Sequence, residues 1–208
     1  YIMSEGNGLL KGKKGIIFGA LDDRSIAWRV ALACDREGAK MVLSNAPIAL
    51  RLGALNALSE EINAPIIPCD VSDDEAVKEM MEKVKEELGS VDFILHAIGM
   101  SPNIRKKKEY TDINYKWYQQ SLDISAVSLH RVLHHADEVG ILNDGGSVIA
   151  LSYIGAQRIF SKYSDMNDAK ALLESIARNY GSRLAHRGIR VNTISQAPTK
   201  TSAGSGIK

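Results

Sequence analysis

The sequence predicts an α/β protein built on a doubly wound, mostly parallel sheet with helices on both faces. Short and almost continuously apolar runs recur along the chain, which is typical of strands covered on both faces. Longer amphipathic runs lie between them. An alternation of this kind indicates parallel strands that are joined by crossover helices.

Six apolar runs are the strand candidates. In chain order they are Gly15–Gly19, Lys40–Ser44, Ile66–Cys69, Phe93–Ala97, Ser147–Leu151 and Arg190–Ile194. No repeat, low-complexity segment or linker interrupts them, so we expect a single domain over residues 1–208. Because the chain ends soon after the sixth run, we also expect this domain to lack its C-terminal part.

Amphipathic runs between the strand candidates predict the helices. The clearest are Arg24–Glu37, Asp73–Leu88 and Leu122–Val139, and a further long helix is expected to start near Tyr163. Ser72 and Glu75 have the spacing of a capping box, so Ser72 is the predicted N-cap of the second of these helices.

Composition excludes several classes of function. The chain has 26 basic and 25 acidic residues, so no basic excess indicates a nucleic-acid partner. No apolar run approaches the roughly 18 residues of a membrane-spanning helix, and we therefore expect no membrane partner. The two cysteines, Cys34 and Cys69, form neither a disulfide framework nor a metal cluster. They are interpreted as small core residues in a reducing compartment, which favours a cytoplasmic protein.

Ligands of open parallel sheets bind at the carboxyl ends of the strands. At the first such end, Gly19 leaves the strand where the backbone must turn. Ser25 can cap the helix that follows, and its hydroxyl and the free N–H groups could hold a pyrophosphate. A strict G-x-G-x-x-G is absent, so an ordinary strand-to-helix turn stays open as an alternative.

Two further strand ends fit a dinucleotide. Asp70 could accept a hydrogen bond from an adenine amino group, or it could cap the next helix. Gly99 could let the backbone approach a ribose, or it could simply make a turn. Asn45–Pro47, after the second strand, has no acidic residue for a ribose 2′-hydroxyl, and Arg51 is close enough to keep a 2′-phosphate open.

The stretch YSDMNDAK places Tyr163 seven positions before Lys170. At about 100° per residue, seven positions return to nearly the same helix face, roughly 10 Å further along the axis. We therefore expect both side chains to line one groove.

The motifs FGALDDRSIA, CDVSDDEAV, HAIGMSP, LSYIGAQR, YSDMNDAK and RVNTISQAPTKTSAGSGIK occur in this order between about Leu10 and the last residue. Together they resemble the bacterial enoyl-[acyl-carrier-protein] reductases, a divergent branch of the short-chain dehydrogenase/reductase superfamily. The common members of that superfamily have a Tyr-x-x-x-Lys pair, whereas this chain has the Tyr-x6-Lys pair of the enoyl reductase branch. The resemblance implies a Rossmann-like fold of the short-chain dehydrogenase type.

The resemblance also implies roles for individual residues. Tyr153 would face the substrate and the nicotinamide, Tyr163 would hydrogen-bond the thioester carbonyl, and Lys170 would hold the nicotinamide ribose. Met166, between the last two, is expected to line the substrate pocket. The remaining cofactor-binding candidates are Gly19, Ser25 and Ile26 at the pyrophosphate, Asp70 and Val71 at the adenine, Gly99 at the ribose of the adenine side, and Ala197, Pro198, Thr199 and Thr201 at the nicotinamide carboxamide and a phosphate.

The implied reaction is the NADH-dependent reduction of trans-2-enoyl-acyl-carrier-protein thioesters to saturated acyl thioesters in fatty acid biosynthesis, with NADPH the less favoured donor. The implied partners are acyl carrier protein and three further copies of the chain in a homotetramer. For docking of the carrier protein, Lys208 is a better candidate than the basic run Arg105–Lys108. A carbonyl reductase of the same superfamily and a non-catalytic nucleotide-binding protein are the alternatives.

Overall fold

Five parallel strands form the central sheet of the computed structural model, which describes residues 6–51, 54–197, 199 and 201. The strands are β1 (Lys14–Phe18), β2 (Lys40–Ser44), β3 (Val91–His96), β4 (Leu142–Tyr153) and β5 (Arg190–Gln196). They lie in the order β2-β1-β3-β4-β5, and every neighbouring pair is parallel. The predicted fold class is therefore confirmed.

One of the six strand candidates is wrong as a strand. The segment Ile66–Cys69 runs beside β2 but makes a single residue-to-residue bridge with it, between Leu43 and Ile66. The pairing is short because β2 ends at Ser44 and the chain turns into a helix at Pro47. Pro68 has no N–H to donate, which suits a segment at the outer edge of a sheet.

Eight α-helices lie within the described part of the chain. They are α1 (Ile26–Arg36), α2 (Pro47–Leu50), α3 (Ala54–Glu61), α4 (Asp74–Leu88), α5 (Pro102–Arg105), α6 (Tyr115–Leu122), α7 (Ser128–Glu138) and α8 (Met166–Leu184). The predicted helix over Leu122–Val139 consists of more than one element. Its first residue, Leu122, ends α6, a π-helical segment follows over Asp123–Val127, and α7 comes next. None of these helices combines the length and the apolarity that crossing a membrane would need.

The predicted N-cap of α4 is wrong by one residue. The carboxylate of Asp73, not the hydroxyl of Ser72, accepts the capping hydrogen bond, from the backbone N–H of Ala76 at 3.1 Å. Ser72 instead donates its hydroxyl to Asp70 at 2.6 Å. Both residue types are good caps, and the adjacent carboxylate of Asp70 draws the serine away from the helix.

The expectation that Tyr163 and Lys170 share one helix face is also wrong. Helix α8 begins at Met166, and Tyr163 ends a single 3₁₀ turn before it. Between them the backbone of Ser164 has φ of +42° and ψ of −131°, which no helix contains. The chain therefore changes direction between the tyrosine and the lysine.

Apolar side chains cover both faces of the sheet. Helices α4, α7 and α8 pack on one face, with Met81, Leu133 and Leu173 among the buried residues. Helices α1 and α3 pack on the other face, with Trp28 and Leu58 among them. Burial on both faces explains why the central strands are largely apolar, while the edge strand β5 has no buried residue.

Candidate active site

The carboxyl ends of the three central strands meet at one edge of the sheet. In the register of the sheet, Phe18 of β1 lies beside His96 of β3, and His96 lies beside Ala150 of β4. Gly19 and Gly99 lie in the segments that follow β1 and β3, and Tyr153 is the last residue of β4. Sequence-predicted residues from distant parts of the chain therefore share this edge.

Gly19 makes the first turn possible. Its φ is +94°, and a Cβ added to it would lie 2.2 Å from the carbonyl oxygen of Ala97. Any side chain would therefore collide with the backbone of the neighbouring strand, which explains why the chain has glycine here.

Gly99 is close to two of the predicted site residues. A Cβ added to Gly99 would lie 3.4 Å from Cε of Met166 and 3.7 Å from Nζ of Lys170. The loop after β3 therefore runs directly past the first turns of α8. Without a side chain at Gly99, backbone, thioether and ammonium line the same small space, and this fits a ribose with its hydroxyl groups.

The turn between β1 and α1 opens onto a cleft of about 460 Å³. Its lining includes Ser25, Ile26 and Thr199, three of the predicted cofactor-binding residues, together with Arg24 and Arg29. The cleft has mixed charge, because Asp23 also lines it and Arg24 is paired with Asp22 at 3.2 Å. Segments that are far apart in the sequence thus meet where a pyrophosphate was expected.

Ser25 does not cap α1 as the sequence suggests. It occupies the N-cap position without a capping side-chain hydrogen bond. Its hydroxyl accepts from the N–H of Leu21 at 3.2 Å and donates to the carbonyl of Asp22 at 2.8 Å. The hydroxyl therefore shapes the turn, and the first N–H groups of α1 lack the helical partners that later residues have.

The predicted adenine residues lie at the β2 side of the sheet. Oδ1 of Asp70 accepts from both the N–H and the hydroxyl of Ser72, at 3.0 and 2.6 Å. Val71 is buried, and its carbonyl accepts from Nη1 of Arg131 on α7 at 3.3 Å. These contacts fix the orientation of the Asp70 carboxylate and the Val71 backbone.

The residues after β5 form a local turn. Ala197 and Thr199 are exposed, the hydroxyl of Thr199 donates to the carbonyl of Ala197 at 3.0 Å, and the N–H of Thr201 donates to the carbonyl of Thr199 at 2.8 Å. Two residues that the sequence singles out, Pro198 and Lys208, lie outside the described residues.

Lys170 is a buried cation. Its side chain lies in the first turns of α8, and Nζ donates to the carbonyl oxygen of Leu151 on β4 at 2.6 Å. Burial lowers the pKa of this ammonium from 10.5 to about 8. His96, also fully buried, is neutral because burial and the charge of Lys170 lower its pKa to about 3. The site therefore holds one ammonium beside a neutral imidazole.

Tyr153, Tyr163 and Met166 form one apolar cluster with Ala169. The rings of the two tyrosines are 4.7 Å apart, centroid to centroid, and Phe160 packs edge-on against Tyr153 at 5.4 Å. Burial raises the pKa of Tyr163, so its phenol stays protonated and can act as a hydrogen-bond donor. All three predicted substrate-binding residues thus belong to a single packed cluster.

The sequence did not single out Asp165, which lies two residues after Tyr163. It is fully buried, and its carboxylate accepts hydrogen bonds from Ser101, Asn103 and Ser121. In the sequence this aspartate resembles an ordinary acidic residue near the start of a helix, and its three partners are 44 to 64 positions away. No local pattern could have identified it.

A second carboxylate that the sequence did not single out supports Tyr153. Ser152, which precedes this tyrosine and is fully buried, donates its hydroxyl to Glu174 at 2.7 Å. Glu174 lies one helical turn after Lys170, and Gln157 also reaches it, at 3.4 Å. The end of β4 is thereby tied to the helix that carries the lysine.

Comparisons with known proteins agree with this geometry. The family model described as Enoyl-(Acyl carrier protein) reductase matches residues 19–208. The chain is 38% identical to "Enoyl-[acyl-carrier-protein] reductase [NADH] 1" of Rhizobium meliloti over 206 residues, which are 99% of this chain and 75% of that protein.

Solved structures give the same result. The FabI–NADH complex of Alistipes finegoldii superimposes with a TM-score of 0.94 at 48% identity, over 96% of this chain and 71% of that one. The Bacillus cereus enoyl-acyl carrier protein reductase, solved with NADP⁺ and an indole naphthyridinone, gives a TM-score of 0.89 at 31% identity, over 96% and 78%. With buried Lys170, paired Tyr153 and Tyr163, and this similarity along nearly its whole length, the chain belongs to the enoyl-(acyl carrier protein) reductase family.

Proposed function

We propose that this chain reduces trans-2-enoyl thioesters of acyl carrier protein to saturated acyl thioesters in fatty acid biosynthesis, with NADH as the reductant. The observation that carries the proposal is the grouping around Met166. Two tyrosine rings pack 4.7 Å apart on one side of it, and the buried ammonium of Lys170 lies next to Gly99 on the other. One side suits an acyl thioester, and the other suits a nucleotide ribose.

Tyr163 would act on the thioester. NADH, when bound, supplies a hydride for the β-carbon of the enoyl group. Negative charge then develops on the thioester oxygen, and a donor aimed at that oxygen stabilises the transition state more than the ground state. Tyr163 is a buried phenol whose raised pKa keeps it protonated, so it can give this hydrogen bond without losing its proton in the resting enzyme.

Lys170 would hold the nicotinamide ribose. Its ammonium has three donors, and the carbonyl of Leu151 engages one of them. Nζ lies close to Gly99, so the remaining donors would be available to ribose hydroxyl groups bound beside that residue. The positive charge of this buried ammonium would also favour the developing enolate.

Tyr153 would position the acyl group. Its ring lies between Tyr163 and Phe160, so the pocket wall that the thioester meets is rigid and aromatic. Positioning two reactants in one cleft supplies a large part of the acceleration in such reactions.

The further cofactor-binding residues of this proposal are Gly19, Ser25, Ile26, Asp70, Val71, Gly99, Ala197, Pro198, Thr199 and Thr201.

The proposal includes acyl carrier protein as partner, a homotetramer and a cytoplasmic location. Docking of the acidic carrier protein is assigned to Lys208. The alternative is the basic run Arg105–Lys108, in which Arg105 and two of the three lysines are exposed. Subunit contacts are assigned to the outer faces of α7 and α8, where His130 and Tyr180 pack edge to face at 5.1 Å. Sedimentation of the full-length protein at four times the chain mass would support this assembly.

Turnover of a crotonyl thioester by the full-length protein tests the proposed reaction. We expect loss of reduced-nicotinamide absorbance, faster with NADH than with NADPH. Tyr163→Phe removes the donor and should lower kcat by about 100-fold to 1,000-fold, the effect of deleting one oxyanion donor. The dissociation constant for NADH should stay within about twofold of the unsubstituted value, because the phenol faces the thioester.

Tyr110→Phe is the matched control, since it removes an exposed tyrosine hydroxyl that donates to Asp168. Its kcat should be unchanged. Equal rates for the two variants would remove Tyr163 from the proposed role. Reduction of a 3-ketoacyl thioester with no activity on the enoyl thioester would indicate a carbonyl reductase. Binding of NADH without turnover of either would indicate a nucleotide-binding protein.

A further inference from the structure

Asp165 is the centre of a buried polar network at the start of α8. Its Oδ1 accepts from the hydroxyl of Ser101 at 2.6 Å. Its Oδ2 accepts from Nδ2 of Asn103 at 2.8 Å and from the hydroxyl of Ser121 at 2.9 Å. All four side chains are buried. One carboxylate therefore joins the loop after β3, helix α5 and helix α6 to the segment that carries Tyr163.

The carboxylate is not used as a helix cap. Asp165 occupies the N-cap position of α8, yet its side chain makes no capping hydrogen bond and turns toward the other three residues. A buried carboxylate is costly unless several donors compensate for lost water. The positive end of the α8 dipole adds a favourable interaction with its charge.

The backbone next to Asp165 is held in an unfavourable conformation. Ser164 has φ of +42°, in a region that side-chain-bearing residues rarely adopt. Such a conformation costs on the order of 1–3 kcal/mol and persists only where the surroundings fix it. Nδ2 of Asn167 holds this turn by donating to the carbonyls of Ser164 and Phe160, at 3.0 and 3.1 Å. Asp165 fixes the opposite end of the same turn.

The network also reaches the cofactor side of the site. Ser101 follows Gly99 by two residues, and the intervening Met100 donates its N–H to Ser125 at 3.0 Å. The hydroxyl of Ser101 in turn accepts from the N–H of Ile104 at 3.1 Å. A displacement of the Tyr163 segment is therefore resisted by a loop that begins beside Lys170.

We propose that Asp165 is a positioning residue for the reaction, and that its carboxylate holds the Tyr163 hydroxyl at the place where the thioester oxygen develops charge. This rests on the proposed function of Tyr163. Asp165 acts through Tyr163 and not on the substrate itself. A displacement of about 1 Å at a reacting group can lower the rate 100-fold, so the support of Tyr163 matters as much as its identity.

Two substitutions of Asp165 separate positioning from charge. In Asp165→Asn, the amide NH₂ can replace Oδ1 and donate to Ser101, whose hydroxyl can accept, while the amide oxygen keeps the bonds from Asn103 and Ser121. This variant should keep kcat within about fivefold. Asp165→Val leaves the Ser101 hydroxyl without its acceptor and removes one of two acceptors from Asn103 and Ser121, which keep the carbonyls of Asn114 and Trp117. Its kcat should fall about 10-fold to 100-fold.

The matched control is Asp168→Asn, one helical turn further along α8. Asp168 also accepts two hydrogen bonds, from the hydroxyls of Tyr110 and Tyr118, both at 3.1 Å, but on the outside of the helix. Its kcat should stay within about twofold. Rates are divided by the number of NADH-binding sites, so that a smaller folded fraction is not counted as a slower enzyme. If Asp165→Val yields no folded protein, Ser121→Ala removes one donor and should give an intermediate loss.

A double substitution tests whether Asp165 acts through Tyr163. In the Tyr163→Phe background, adding Asp165→Val should cost less than about threefold in kcat, because the hydroxyl to be positioned is already absent. A loss as large as in the unsubstituted background would overturn the proposal. So would equal rates for Asp165→Val and Asp168→Asn.

Amide hydrogen exchange gives a second readout that needs no turnover. Peptides covering residues 157–166 report on the N–H of Tyr163, which donates to the carbonyl of Phe160 at 2.9 Å. Their exchange should be faster in Asp165→Val and unchanged in Asp165→Asn and Asp168→Asn. Unchanged exchange in Asp165→Val would overturn the proposal. An unsubstituted protein that reduces no enoyl thioester would instead contradict the proposed function, and the exchange result would still decide the role of Asp165.

Discussion

Replacing Lys170 by methionine should stabilise the protein without cofactor at neutral pH while removing its ability to hold a nicotinamide ribose. The Lys170 side chain is 4% exposed, and no carboxylate among the described residues forms a salt bridge with it. Its one hydrogen bond within the described part of the chain is to the carbonyl of Leu151. A buried ammonium with so little compensation lowers the free energy of unfolding.

The pKa of Lys170 gives the magnitude. Burial lowers this pKa from 10.5 to about 8. At 1.36 kcal/mol for each unit of pKa, the difference corresponds to about 3 kcal/mol of destabilisation. Between pH 8 and pH 10.5 the unfolded chain binds the proton and the folded chain does not, so stability rises with pH through this window. Below pH 8 the whole penalty is present.

Lys170→Met removes this penalty and also the hydrogen bond to Leu151, which contributes roughly 1 kcal/mol. The net expectation at pH 7 is a gain of about 2 kcal/mol in the free energy of unfolding. The gain should shrink by about 1.3 kcal/mol between pH 7 and pH 9, because the unsubstituted protein loses part of its penalty there.

Urea unfolding of the full-length protein without cofactor, at pH 7 and pH 9, measures both quantities. Lys116→Met, at an exposed position, is the control and should show no pH-dependent difference. The reasoning is refuted if Lys170→Met is less stable than the unsubstituted protein at pH 7, or if its advantage is the same at both pH values. NADH binding by calorimetry should be lost in the same variant.

Two further substitutions test the backbone of the site. Gly19→Ala should destabilise the protein by about 3 kcal/mol and weaken NADH binding. The reason is that φ is +94° and the new Cβ would lie 2.2 Å from the carbonyl oxygen of Ala97. An unchanged free energy of unfolding in urea would contradict this expectation. Ser164→Gly should stabilise it by about 1 kcal/mol, since glycine accepts φ of +42° and the buried Ser164 hydroxyl has no hydrogen-bond partner among the described residues. A lower melting temperature for Ser164→Gly than for Ser164→Ala would contradict the second expectation.

Most of the sheet could be predicted from the sequence because the strands β1 to β4 are largely buried, whereas the edge strand β5 contains no buried residue. Continuous apolar runs identify such strands without any knowledge of their neighbours. The edges could not be predicted in the same way. Whether Ile66–Cys69 is a strand depends on how far β2 extends beside it, and β2 ends at Ser44. Strand β4 runs over Leu142–Tyr153 and is longer than its apolar run. The reason is that β3 pairs with β4 from Leu142 onward, whereas β5 pairs with it as far as Tyr153.

The site could be predicted where one residue type is required by its own surroundings. Glycine is needed at Gly19, where φ is positive and a Cβ would meet the backbone of Ala97, and this position could be identified at a strand end. At Gly99 a Cβ would make only ordinary contacts, so its predicted role rests on the resemblance. The role of Asp165 could not be identified, because it arises from side chains on three other segments. Long-range hydrogen bonds leave no periodicity in the sequence.

The seven-residue separation of Tyr163 and Lys170 has a different cause from the helical one that the sequence suggests. Lys170 is fixed by α8 and by β4, through the carbonyl of Leu151. Tyr163 lies before the helix, and the turn at Ser164 and the partners of Asp165 set its place. The two supports meet only at the loop that runs from Gly99 to Ser101, so damage to the Asp165 network should displace Tyr163 more than Lys170. Cofactor affinity and the rate of the chemical step should therefore respond to different substitutions in this protein, the first to changes around Lys170 and the second to changes around Asp165.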